Sequence, residues 1–84
     1  IAQIKPIFNI WIENVPYDSQ INELIEFLKE YQPLNCEIFA SDQKGIPGYA
    51  NISFRSQSNA MFAVAKCSKD EFKKHKMTAS IQNF

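Results

Sequence analysis

The side chains best suited to interaction chemistry in this chain are aromatic rings at alternate positions of short apolar segments. Trp11 lies between Ile10 and Ile12, and Phe39 and Tyr49 occupy comparable positions in two later segments. A ring on the exposed face of a strand offers a flat apolar surface, and such a surface marks a site of contact with another molecule. These residues therefore indicate recognition by contact rather than bond-making chemistry.

The residue types that catalysis and metal binding require are scarce. His75 is the one histidine and lies among lysines, and Cys36 and Cys67 lack the spacing of a zinc or redox site. No phosphate-binding glycine loop, nucleophile elbow or paired-carboxylate motif is present. We therefore expect no enzyme activity, no catalytic residue, no metal site and no cofactor. Both cysteines are predicted to be reduced core residues of an intracellular protein, nuclear or cytoplasmic.

The composition predicts one small folded domain spanning residues 1–84. Hydrophobic residues make up 45% of the 84 residues, which is enough for one core without disulfides or a metal. Nine basic residues balance nine acidic ones, so net charge supplies no general attraction for phosphates. No segment resembles a membrane span or a signal peptide. The chain begins at Ile1 rather than Met, so we expect it to be part of a longer protein.

Period-two alternation of apolar and polar residues predicts four β-strands, because successive side chains of a strand point to opposite faces of the sheet. The predicted strands are Phe8–Glu13, Cys36–Ser41, Tyr49–Phe54 and part of Met77–Phe84. The predicted inward residues are Phe8, Ile10, Ile12, Cys36, Ile38, Ala40, Ala50, Ile52, Phe54, Ala79 and Ile81. The rings of Trp11, Phe39 and Tyr49 then share the opposite face.

Two helices are predicted between these strands. The first is capped by Asp18 or Ser19 and ends before Pro33, since a residue that precedes proline disfavours helical geometry. Its apolar positions at helical spacing are Ile21, Leu24, Ile25 and Leu28. The second is capped by Ser56 or Ser58, and the segment Lys69–Lys76 either extends or follows it. Its apolar positions are Ala60, Phe62, Ala63, Val64 and Cys67.

The order strand, helix, strand, strand, helix, strand predicts an α+β fold of the βαββαβ ferredoxin-like type. Right-handed crossovers place both helices on one face of a four-stranded antiparallel sheet. The opposite face of this sandwich remains open to solvent, and that face carries the three rings.

Two segments resemble the signature motifs of the RNA recognition motif family. Ile10–Val15 matches the family's hexamer of aliphatic, aromatic, aliphatic, any residue, Asn and an aliphatic residue. Pro47–Phe54 matches six positions of the family's octamer. Pro47 replaces the usual basic residue, and Asn51 replaces the usual second stacking ring. The resemblance in order and spacing covers about Phe8 to Ile81.

This resemblance implies a non-catalytic module that binds single-stranded RNA, because unpaired bases stack on exposed rings. Trp11 and Tyr49 are the implied stacking platforms, with Phe39 as a third ring. The implied polar contacts to bases are Asn9, Asn51, Ser80 and Gln82, and the implied phosphate contacts are Lys44 and Arg55. The missing ring and the neutral charge predict weak binding alone, assisted by neighbouring domains.

The alternative is a protein-interaction version of the same fold, within a ribonucleoprotein assembly. Glu13 and Glu37 share the ring-bearing face and would repel phosphates. A peptide or subunit could then bind that face or the acidic first helix, which carries Asp18, Glu23, Glu26 and Glu30. A basic stretch over residues 66–76 could follow an RNA backbone if it borders the sheet, although such a stretch is most often a solvated helix face.

Overall fold

The structure is a computed structural model that describes residues 7–40 and 43–82. Its elements are β1 Phe8–Val15, α1 Ile21–Phe27, a 3-10 turn Lys29–Tyr31, β2 Asn35–Phe39, β3 Gly48–Phe54, α2 Gln57–Lys69 and β4 Thr78–Gln82. All pairings are antiparallel, and the strand order is β2-β3-β1-β4. The predicted α+β fold of the βαββαβ ferredoxin-like type is confirmed.

The hydrophobic core lies between one face of the sheet and the two helices. Alternate residues of the central strands, among them Ile10, Ile12 and Ile52, are completely buried against Leu24 of α1 and Cys67 of α2. The predicted inward residues of β4, Ala79 and Ile81, pack partly buried against this core. The sequence did not predict that Val15, Phe72 and Met77 complete the core. Because both helices cover one face, the other face of the sheet is free for function.

The start of α1 differs from the prediction. Neither Asp18 nor Ser19 caps the helix; Gln20 is the capping residue, and its backbone N–H donates to Oε1 of Glu23 over 2.8 Å. The Asp18 carboxylate instead accepts from Lys73, and this contact accounts for the error. Ile21, predicted to face inward, is 44% exposed in the first turn. The helical segment ends at Tyr31, before Pro33, as predicted.

The second helix begins where one of the two predicted caps places it. Ser56 Oγ accepts from the backbone N–H of Asn59 over 3.4 Å, so Ser56 rather than Ser58 is the cap. The helix ends at Lys69, and the next segment folds back through paired hydrogen bonds between Phe72 and His75. Phe62 points outward with 57% of its surface exposed.

The strand bounds also shift slightly. β2 begins at Asn35 and ends at Phe39, so Ala40, which was predicted to face inward, lies past the end of the strand and is exposed. The predicted end, Ser41, and the tail residues 83–84 lie outside the described residues. The β1–β3 register slips between Glu13 and Val15, where Asn14 takes a left-handed φ of 65°. This irregularity reshapes the end of the sheet next to Tyr49. No helix within the described ranges is long and apolar enough to cross a membrane.

Candidate nucleic-acid interface

The open face of the sheet is organised in three cross-strand rows, which follow directly from the register. Each row contains one residue from each strand, in the order β2, β3, β1, β4. The first row is Phe39, Tyr49, Glu13 and Thr78; the second is Glu37, Asn51, Trp11 and Ser80; the third is Asn35, Ser53, Asn9 and Gln82. Aromatic residues therefore gather toward one end of the face, and amides gather toward the other.

The three predicted rings form one cluster with Trp11 at its centre. The Trp11 ring centroid lies 5.7 Å from that of Phe39 and 5.5 Å from that of Tyr49. Because β3 separates β1 from β2, the indole must lean across β3 to reach Phe39. Phe39 and Tyr49 each remain 47% exposed, so the cluster has accessible ring surface.

The polar residues at the other end of the face are hydrogen-bonded in pairs. Ser53 Oγ donates to Asn9 Oδ1 over 2.7 Å, and Asn51 Nδ2 donates to Gln82 Oε1 over 3.4 Å. These bonds leave Asn51 Oδ1 as an acceptor and the Asn9 and Gln82 amide groups as donors. The structure therefore brings Asn9, Asn51 and Gln82 together in a fixed polar strip beside Trp11.

The two predicted phosphate contacts lie at opposite ends of the open face. Lys44 is exposed in the loop between β2 and β3, beyond the ring cluster, and Arg55 is exposed just after β3, beyond the polar strip. Neither makes a salt bridge within residues 7–40 and 43–82. A chain of phosphates that meets both cations must run along the length of the sheet.

Two lysines of the basic stretch over residues 66–76 lie beside α1 rather than on this face. Lys73 Nζ lies 3.0 Å from Asp18 Oδ1 and 3.3 Å from Glu23 Oε1, beside α1. The hydrogen bond and the positive charge of Lys73 hold the pKa of Asp18 below its ordinary value. Lys66 Nζ lies 4.8 Å from the centre of the Phe27 ring, also beside α1. These two lysines belong to the helix side of the molecule.

Sequence reasoning missed a cavity of about 290 Å³ beside Tyr49. Its walls are formed by Glu13, Asn14, Pro47, Gly48, Tyr49 and Thr78. A side chain at Gly48 would place its Cβ 2.5 Å from the carbonyl oxygen of Phe39, so glycine is needed for β2 and β3 to approach here. Gly48, directly before Tyr49, was the sign of this site that the sequence offered. The cavity itself depends on the register between β1 and β3.

Among the described residues, no group of three or more histidine, cysteine or acidic side chains is arranged to hold a metal ion. Both cysteines are free and buried, and burial raises the pKa of each thiol to about 11. The prediction that both thiols are reduced core residues agrees with this geometry.

The chain is similar to known proteins in both sequence and structure. The family model described as RNA recognition motif matches residues 10–78. No curated protein sequence matches the chain. Three similar solved structures are 17–18% identical to this chain, so their likeness bears on the fold alone.

Three solved structures illustrate that likeness. The RRM of Rna15 with bound RNA (GU) is 18% identical, with a TM-score of 0.74, over 90% of this chain and 83% of that one. The third RRM of Mip6 is 18% identical, with a TM-score of 0.79, over 89% of this chain and 92% of that one. The first two RRM domains of yeast poly(U)-binding protein are 17% identical, with a TM-score of 0.78, over 100% of this chain and 52% of that one. With its family match and its sheet order, the chain belongs to the RNA recognition motif family.

Proposed function

We propose that this domain binds single-stranded RNA through the open face of its sheet. The observation that carries the proposal is the cluster of Trp11, Phe39 and Tyr49, whose outer two rings are each 47% exposed. Stacking of an unpaired base on a protein ring contributes about 1–3 kcal/mol per base. Two accessible rings beside a central indole therefore supply a binding surface for a short stretch of bases.

The polar strip gives the proposed site a means of reading base edges. Asn51, Asn9 and Gln82 combine one free carbonyl acceptor with amide donors, beside the ring cluster. Hydrogen bonds to the edges of unstacked bases distinguish one base from another, whereas stacking hardly does. Ser80, exposed next to Trp11 in the register, adds a hydroxyl group.

Binding by the isolated domain is expected to be weak. The chain is electrically neutral overall, and the open face holds the exposed carboxylates of Glu13 and Glu37. Lys44 and Arg55 offset part of the resulting repulsion from opposite ends of the face. Neighbouring domains of a larger protein would then add affinity by raising the effective RNA concentration, as part of a ribonucleoprotein involved in RNA processing.

The test is an NMR titration of the domain with pools of short single-stranded RNA, repeated with Trp11→Ala. Amide shifts should cluster on Trp11, Phe39, Tyr49 and Asn51, need more RNA to appear in the variant, and weaken with added salt. Met61→Ala is the matched control, because Met61 is 54% exposed on α2, on the helix side of the sheet. Amide chemical shifts that do not change at high RNA concentration would contradict the proposal.

The second candidate function is binding of a basic protein segment at α1. A hollow of about 590 Å³ there is lined by Asn22, Glu23, Glu26, Phe27, Glu71, Phe72 and Lys73. The rings of Phe27 and Phe72 meet with their centroids 5.2 Å apart, and three carboxylates surround them. Glu23 is paired with Lys73 and Glu26 with Lys29, so Glu71 is the carboxylate of the hollow that has no salt bridge within the described residues. An apolar side chain next to a lysine or arginine that pairs with Glu71 complements this hollow.

A lysine-rich synthetic peptide with one central leucine tests this second candidate. Binding should shift the amides of Phe27 and Phe72, and Glu26→Lys should abolish the shifts while leaving RNA binding intact. Shifts on the sheet face instead, abolished by Trp11→Ala, would assign peptide binding to the rings.

The free, buried thiols fit the proposed intracellular location, nuclear or cytoplasmic.

A further inference from the structure

The cavity beside Tyr49 joins a stacking ring to a group that can recognise a base edge. Glu13 and Tyr49 are partners in the β1–β3 register, and Thr78 is the partner of Glu13 on β4. All three line the 290 Å³ cavity. The cavity therefore brings a ring, a carboxylate and a hydroxyl group around one space.

The remaining walls of this cavity are fixed by the backbone. Asn14 has a φ of 65°, and its Nδ2 donates to the carbonyl oxygen of Lys76 over 2.9 Å, which ties the end of β1 to the segment before β4. Gly48 leaves no side chain between the strands. The cavity consequently exists in the folded domain before any ligand arrives, which lowers the entropic cost of binding.

The chemistry of Glu13 selects among the four bases. An ionised carboxylate only accepts hydrogen bonds, and its two oxygens can accept from two adjacent donors. Guanine presents two adjacent donors on its Watson–Crick edge, the N1–H and the N2 amino group. Uracil presents one N–H between two carbonyl oxygens, which a carboxylate repels, while adenine and cytosine each present one amino group beside an acceptor. Guanine is the complementary base.

We infer that the cavity lined by Glu13, Tyr49 and Thr78 is a guanine-reading subsite, in which Glu13 accepts from N1–H and N2–H of the base. The inference rests on the proposed RNA-binding function and gives it a base preference. It also gives a use to a carboxylate that otherwise only repels phosphates. Glu13 has no salt bridge within the described residues, so its oxygens are available.

Glu37 provides a matched control on the same face. It is also an exposed glutamate without a salt bridge in the described ranges, but it lies on the edge strand β2 and does not line the cavity. Glu13→Gln and Glu37→Gln therefore remove the same charge from the same face. A base-specific effect should follow only from the substitution at position 13.

The experiment measures fluorescence anisotropy of labelled uridine pentamers whose central base is guanine, hypoxanthine, adenine or uracil. Hypoxanthine, the base of inosine, lacks the N2 amino group but keeps N1–H, so it isolates the second hydrogen bond. The wild-type domain should bind the guanine pentamer at least about fivefold more tightly than the inosine pentamer. The ratio should fall to near one in Glu13→Gln and persist in Glu37→Gln.

Three results would overturn the inference. If the wild-type domain binds all pentamers equally and Trp11→Ala loses this binding, there is no guanine subsite, but the proposed RNA-binding function stands. If both glutamine variants bind every pentamer more tightly by the same factor, the ratio of the affinities for the guanine and inosine pentamers stays unchanged. Glu13 would then only repel phosphates. Failure of every pentamer to bind would overturn the subsite and the proposed function together.

Discussion

The indole of Trp11 stacks beside the phenol ring of Tyr49, with centroids 5.5 Å apart and ring planes inclined by 20°. The two residues lie on adjacent central strands, two register positions apart, because Trp11 is the partner of Asn51 and Tyr49 is the partner of Glu13. This contact, together with that of Phe39, holds the indole in one orientation before any ligand binds. A side chain that is already ordered avoids a cost of about 0.5–1.5 kcal/mol on binding.

Replacement of Trp11 by alanine should weaken RNA binding by about 1–3 kcal/mol, the range for loss of one stacking platform. Phe39 and Tyr49 would lose their common neighbour, but the core on the other face of the sheet would be untouched. Anisotropy titrations and thermal melts of the same samples measure the two effects separately. Unchanged affinity in a folded variant would remove Trp11 from the interface.

Two phenylalanines of the sheet should respond very differently to truncation. Phe54 is completely buried in the core, whereas Phe39 is 47% exposed on the open face. Phe54→Ala should lower the free energy of unfolding by about 3–5 kcal/mol. Phe39→Ala should lower it by about 1 kcal/mol, because only ring contacts are lost. Urea denaturation measures both values, and equal losses would contradict the assignment of faces.

The Asp18–Lys73 pair should be visible in a pH titration. Asp18 should titrate below its ordinary pKa of 3.8, because Lys73 donates a hydrogen bond to its carboxylate. A lowered pKa in the folded state means that this pair stabilises the fold above pH 3.8, and that the stabilisation is lost as the pH falls through the lowered pKa. Both groups are solvent-exposed, so the effect on unfolding should be small.

Carboxyl-detected NMR measures that pKa directly. In Lys73→Gln the pKa of Asp18 should rise toward 3.8. Lys74→Gln is the matched control, because Lys74 also has a positive φ but makes no salt bridge within the described residues. An equal rise in both variants would show that general charge, rather than the pair, lowers the pKa.

The two thiols should resist alkylation in the folded domain. Burial raises the pKa of Cys36 and of Cys67 to about 11, so at pH 8 on the order of one thiol per thousand is a reactive thiolate. Iodoacetamide labelling followed by mass spectrometry should be slow in buffer and fast in urea for both cysteines. Rapid labelling of either cysteine without denaturant would contradict its burial.

The open face could be predicted from the sequence because strand parity is a local property. Alternation of side chains depends only on the extended backbone, so Phe39 was assigned to the face of Trp11 from Ile38 and its neighbours alone. The register then brought the two rings to 5.7 Å across an intervening strand. The same local pattern placed Asn9, Asn51, Ser80 and Gln82 on that face.

The start of α1 and the cavity could not be predicted because each depends on contacts between distant segments. Asp18 has the side chain of a good helix cap, but it pairs with Lys73, 55 residues further along the chain. The cavity beside Tyr49 requires the slip in register at Asn14 and the close approach at Gly48. Such features arise only when the strands assemble, and no spacing in the sequence encodes them directly.

Trp11 is the only tryptophan among the 84 residues, and it lies on the proposed interface rather than in the core. The domain therefore carries an intrinsic optical probe at the surface of interest. A base that stacks on the ring cluster should quench indole emission, whereas a partner bound at α1 should leave that emission unchanged. Unlabelled protein can in this way report not only that a ligand binds, but on which side of the sheet it does so.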